Sequence, residues 1–127
     1  MNTISYFEIQ SERPEESAAF YKKVFGWNFV RDPLVPIEYY RTTDQGAGMM
    51  GAILKRPAKT PPLMHGTNAF TCSVQVEDFD ATAAIILENG GQVAMPKFAI
   101  AGRCFQGYFI DTDHNVFGIF EADPSAA

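Results

Sequence analysis

The sequence predicts an α+β fold made of two tandem βαβββ modules, and three observations predict it. An alternating strand leading into a capped helix occurs twice. The same nine-residue interval, Ser17 to Gly26 and Ala81 to Gly90, separates matching points of the two helices. A connector with three prolines, RPAKTPPLMHG, lies between the two rounds. Together they describe one repeated unit of about sixty residues.

The first round opens with ISYFEIQ, in which Phe7 and Ile9 share one face while Tyr6, Glu8 and Gln10 share the other. A helix follows. Pro14 suits a first helical position, Glu15 and Glu16 favour the positive end of the dipole, and Gly26 stops it. Ala18, Tyr21, Val24 and Phe25 recur at helical spacing. Three strands are expected next, in WNFVR, IEYYRTT and MMGAILK, with a turn at DQGAG. In the second round FTCSVQV alternates, with Phe70, Cys72, Val74 and Val76 on one face and Thr71, Ser73 and Gln75 on the other. Asp78 is a good N-cap for a helix through Ala83, Ile86 and Leu87, ending at Gly90-Gly91. QVAMP, RCFQGYFI and NVFGIFE supply the last strands. The expected organisation is one domain, 1–127, with module one at 1–56, a stiff linker at 57–68 and module two at 69–127.

Composition narrows the function. The chain is 46% hydrophobic and 20% charged, the balance of a globular protein, at a length that supports a real core. Ten Lys and Arg against fifteen Asp and Glu leave a net charge of −5, which argues against a nucleic-acid surface. No run reaches the length of a membrane-spanning helix, and MNTISYFEIQ lacks a signal-like charged-then-apolar segment. Two cysteines, Cys72 and Cys104, make no disulfide framework, so reduced thiols in a cytoplasmic protein are expected. Cys104 beside Arg103 leaves a reactive thiolate as an alternative.

Two short motifs suggest chemistry. DTDHN gathers Asp111, Asp113 and His114, oxygen and nitrogen ligands suited to a divalent metal, yet Asp and Asn are equally the residues of a tight turn. GAGMMG, residues 46–51, spells a dinucleotide fingerprint. Only AILKR separates Gly51 from Pro57, too little for the helix that such a motif requires, so nucleotide binding is rejected.

The doubled unit, with FEIQSERPEESAAFYKKVFGW, then VEDFDAT, ENGG and DTDHNVFGIFE, resembles the vicinal oxygen chelate superfamily: glyoxalases, extradiol dioxygenases and bleomycin-resistance proteins. It is most similar to the glyoxalase-related branch. The resemblance implies a mixed sheet curled around a cleft, with the helices outside. It also implies that DTDHN is the D-x-D-x-N turn between the last two strands, with His114 or Asn115 taking a left-handed position.

In metal-dependent relatives the ligands come from the first and last strands of each half. The matching positions here are Tyr6, Thr71, Gly118 and the neighbourhood of Gly51. None is His, Glu, Asp or Gln, so no metal, no cofactor and no family-type metal chemistry is expected. His65 falls in the linker and reads as an exposed or capping imidazole. What remains is a pocket with Tyr6 and Glu8 on one side and Thr71 and Ser73 facing them. Gly118 would leave room beside Phe120, while Met49, Gly51 and Ile53 would add to the lining. Glu8 is either a ligand-binding or basic carboxylate or the structural partner of an arginine such as Arg41. Trp27, Tyr39 and Tyr40 are expected in the core or at a dimer surface. Beside a pure interaction module whose cleft is vestigial, two functions compete. One is a metal-free small-molecule-binding protein of bleomycin-resistance type. The other is a metal-independent lyase or isomerase using Glu8 and Tyr6 as acid–base groups on a small carbonyl metabolite. A homodimer is implied by the resemblance.

Overall fold

The computed structural model describes residues 3–43, 48–63, 65 and 69–127. The chain divides into two compact units, Met1–Thr60 and Pro61–Ala127, so the division falls inside the proline-rich connector.

Unit one runs β1 (Tyr6–Ser11), α1 (Pro14–Phe25), β2 (Phe29–Arg31), β3 (Tyr39–Thr42) and β4 (Met50–Lys55). Its sheet has the order β1-β4-β3-β2. β1 pairs with β4 in parallel, and the other pairs are antiparallel. α1 starts at the proline and ends where Gly26, at φ 76°, returns its N–H to the Lys22 carbonyl. Only a residue without Cβ takes that conformation freely. The face that α1 buries carries Pro14, Ser17, Phe20 and Tyr21, with Val24 and Phe25 half-buried. Trp27 stacks on Tyr21 at 5.5 Å and meets Phe7 at 5.7 Å, which identifies the Phe7 face of β1 as the helix-covered one. Below the first helical turn, the buried Ser11 and Ser17 hydroxyls bond each other at 2.7 Å.

Unit two repeats the plan with β5 (Ser73–Gln75), α2 (Phe79–Glu88), β6 (Gln92–Ile100), β7 (Cys104–Ile110) and β8 (Val116–Ala122), in the order β5-β8-β7-β6. Again the first and last strands pair in parallel. The Asp78 side chain accepts the Ala81 N–H at 3.0 Å, the expected N-cap. Glu121 of β8 accepts the Phe79 N–H at 2.7 Å and so ties the helix start to the last strand. Ile86 and Ile119 are fully buried, with Phe79, Phe109 and Phe117 around them. The mixed sheet is thus realised as two four-stranded sheets, neither of them closed.

Two expectations change. FTCSVQV forms a strand only over Ser73–Gln75, and Phe70 is 90% exposed with Cys72 also exposed, so neither lies under α2. QVAMP is the start of a longer strand that continues to Ile100. The alternation was real, but the ladder with β8 begins at Ser73, preceded only by the Gly118 N–H donating to the Cys72 carbonyl at 2.9 Å.

DTDHN is a turn. Asp111, 2% exposed, accepts the backbone N–H groups of Asp113 at 2.8 Å and Asn115 at 2.9 Å through one carboxylate oxygen. Its other oxygen accepts the Asn115 side-chain amide at 3.2 Å. His114 takes the left-handed position at φ 68°. Its Nδ1 lies 2.8 Å from the Pro61 carbonyl oxygen, so that nitrogen carries the proton. In the G-x-G-x-x-G stretch, 46 and 47 lie outside the described residues, but Met50 and Gly51 lead into a strand and not a helix.

Candidate functional site

Register decides which side chains share the helix-free face of each sheet. In unit one Glu8 pairs with Ala52, and Ala52 pairs with Arg41 across the next strand. Tyr6 and Tyr39 belong to the same face by alternation. The Tyr39 hydroxyl lies between the other two groups, donating to Glu8 Oε2 at 3.0 Å and meeting the Tyr6 hydroxyl at 2.8 Å. A phenol has one proton, and Tyr39 spends it on Glu8. Tyr6 is therefore the donor to Tyr39, and the chain runs Tyr6 to Tyr39 to carboxylate. Burial first, then the bonds with Tyr6 and Glu8, raises the Tyr39 pKa well above its ordinary value.

The structure brings Tyr6 and Glu8 together as expected, through a residue that had been assigned to packing. Tyr39 stands in IEYYRTT beside Tyr40, and which of the two faces the helix depends on a register that the sequence does not print. Tyr40 pairs with Ile53 on the helix side and donates to Glu15 of α1 or to Glu38, each at 3.1 Å. Trp27 is half-buried, its ring against Phe7, Tyr21 and Phe25. Arg41 is not the partner of Glu8; its Nε lies 3.7 Å from Asp32.

Two lining residues are corrected, and a third lies outside the strand. Gly51 pairs with Phe7, and a Cβ built on it would fall 2.3 Å from the Phe7 ring, so it belongs to the helix-covered face. Ile53 pairs with Ile9 on that same face and is fully buried. Met49 precedes β4 and is 45% exposed, outside the strand register. For Gly51 and Ile53 the reason is a one-residue slip, which in a strand reverses every side chain.

In unit two Ser73 pairs with Gly118, Tyr108 and Gln106 lie across β7, and Phe120 shares their face. Gln106 Nε2 donates to Ser73 Oγ at 3.1 Å. A Cβ on Gly118 would meet Ser73 Oγ at 2.3 Å and Gln106 Nε2 at 2.7 Å. The space expected beside Phe120 is therefore filled by this hydrogen-bonded pair. Thr71 is exposed and precedes β5. Gln106 was missed, although the alternation Cys104, Gln106, Tyr108 in RCFQGYFI carried it.

Ser73 stands six residues before the first residue of α2, and Glu8 six before the first residue of α1. The pair Ser73–Gly118 thus corresponds to Glu8–Ala52. The register-matched position in unit one is Ala52, not Gly51. The positions that the resemblance assigns to metal ligands accordingly hold Tyr6, Ala52, Thr71 and Gly118. They offer one phenol already engaged by Tyr39, one exposed hydroxyl, and two side chains with no ligand atom. That donor set does not fit a divalent ion.

Comparison with known proteins agrees with this architecture. Over 123 residues the chain is 25% identical to the candidate glyoxylase CFP32 of Mycobacterium tuberculosis. That alignment covers 95% of this chain and 46% of the relative, so the chain spans about half the length of the curated relatives it matches. The fosfomycin resistance protein FosX of Listeria monocytogenes superposes with a TM-score of 0.74 at 14% identity, covering 97% of this chain and 93% of FosX. TnmS3, an antibiotic binding protein from Streptomyces sp. CB03234, superposes with a TM-score of 0.69 at 23% identity, covering 97% and 98%. A family profile matches residues 3–119. With the doubled βαβββ unit and its parallel first–last strand pairs, the chain belongs to the Glyoxalase/Bleomycin resistance protein/Dioxygenase superfamily.

Proposed function

We propose that this chain is a metal-free small-molecule-binding protein of bleomycin-resistance type, holding its ligand on the helix-free face of a sheet. The observation that carries the reading is the Tyr6–Tyr39–Glu8 chain. It is a preorganised set of polar atoms on a face with apolar neighbours, the makeup of a small-molecule site. Support also comes from relatives of the same fold, one named as an antibiotic binding protein and one as a fosfomycin resistance protein. Metal independence rests on the donor chemistry of Tyr6, Ala52, Thr71 and Gly118.

Native mass spectrometry of the isolated protein, paired with elemental analysis, tests this reading. The expected result is an organic adduct that survives gentle desolvation, with no stoichiometric transition metal. One ion per chain, with binding that disappears on chelation, would overturn it. With a ligand in hand, Glu8→Gln is expected to weaken binding roughly tenfold to a hundredfold, the worth of a charge-assisted hydrogen bond. If Glu8 is structural instead, the variant loses thermal stability and keeps its affinity.

The directed proton chain also favours a second reading, a metal-independent lyase or isomerase with Glu8 as base and Tyr6 as the acid–base phenol joined to it through Tyr39. Turnover of a carbonyl substrate that vanishes in Glu8→Gln would select it. A homodimer is proposed by family resemblance, and light scattering giving a mass near 14.1 kDa would refute it.

A further inference from the structure

The hydrogen-bond direction in the Tyr6–Tyr39–Glu8 chain has a consequence for ligand chemistry. Each phenol has a single proton, and both protons point along the chain toward Glu8. The groups left for a ligand are therefore acceptors: the remaining lone pair of Tyr6 Oη and the second carboxylate oxygen of Glu8. Tyr6 is 44% exposed, so its oxygen is within reach. Arg41, level with Glu8 in register, pairs its guanidinium with Asp32, and Arg56, just past β4, donates to the Gln10 carbonyl at 3.0 Å. The net charge of −5 adds a field of the same sign.

We infer that the helix-free face of unit one selects a ligand that donates hydrogen bonds and carries positive charge, an organic ammonium with an apolar body. The apolar part would lie along the neighbouring strand, where Leu54 is half-buried on the same face. This rests on the small-molecule reading above and adds the charge of the ligand to it.

The test uses two probes with the same aromatic body and opposite charge, 2-phenylethylammonium and 3-phenylpropanoate, titrated at neutral pH into the full chain. Amide chemical shifts report affinity and place. The ammonium is expected to bind about tenfold more tightly or better, with shifts centred on β1 and β3. In Glu8→Gln that preference is expected to collapse. If Glu8→Gln does not fold, Tyr6→Phe, a change at an exposed hydroxyl, is expected to weaken the ammonium and leave the anion unaffected. An anion that binds as tightly as the ammonium overturns the charge assignment while leaving small-molecule binding intact. A preference that survives both variants overturns the placement on this face. Neither probe binding at millimolar concentration would sink both the charge assignment and the binding reading of this face.

Discussion

The two helix-free faces carry different chemistry on the same frame. At matched positions unit one has Glu8 beside Ala52, and unit two has Ser73 beside Gly118. In unit one the carboxylate is reached by a phenol chain, and its acceptors remain open to solvent. In unit two a neutral hydroxyl and amide satisfy each other and fill the glycine's space, so the face is closed on itself. Everything that builds the frame is shared: strand order, parallel pairing, and a left-handed glycine soon after each helix, Gly26 and Gly90. The two units share what folding needs and differ in the exposed rows. The proposed site is the row of unit one.

The sharpest way to break the comparison is to exchange the small residues. Gly118→Ala forces a methyl against Ser73 Oγ and Gln106 Nε2, and it is expected to cost about 2–3 kcal/mol in denaturant unfolding. Ala52→Gly removes a buried methyl and frees the backbone in mid-strand, at about 1–2 kcal/mol. Equal costs would mean that the two positions are not packed differently. Ser73→Ala is expected to cost about 1 kcal/mol. It leaves Gln106, 7% exposed, with only the longer 3.4 Å contact to the Gly107 carbonyl. No loss at all would show that the Ser73–Gln106 pair does not hold that face shut.

The smallest effect at neutral pH belongs to Tyr39→Phe, which sharpens the comparison by titration. The Tyr39 phenol has its pKa raised in the folded chain. Below about pH 10 it is neutral folded and unfolded, and its full contribution is present. As pH rises past the unfolded value, the unfolded chain releases its proton first. Stability then falls until the folded phenol also ionises. Melting curves between pH 9 and 11 are expected to decline more steeply for the native chain than for Tyr39→Phe. Parallel curves would remove Tyr39 from the proton chain.

Most of the frame was legible in the residues because it depends on local chemistry. Pro14, Gly26, Asp78 and the DTDHN turn act through their own backbone, so sequence spacing locates them. The face assignments on β1 followed from alternation alone. What failed depended on pairing. Gly51 and Ile53 were placed one residue out because β4 takes its register from β1, some forty residues earlier. Tyr39 and Tyr40 are chemically equivalent in sequence, and only their partners on β4 send one to each face. Phe70 and Cys72 carried a strand pattern that runs ahead of the ladder with β8, which starts at Ser73.

The parallel pairing of first strand with last has a consequence for synthesis. β1 and β5 each lie at a sheet edge, and the only neighbour each has in its sheet is the final strand of its own unit. A nascent first strand therefore waits, with its hydrogen-bonding edge open, until β4 leaves the ribosome. At about 5–20 residues per second that is roughly two to eight seconds for β1. The second unit waits in the same way: Glu121, which holds the start of α2, lies 42 residues after Phe79. The exposed edge during those seconds is the interval in which the chain is open to mispairing, and in which a ribosome-bound chaperone would find β1 and β5 unprotected.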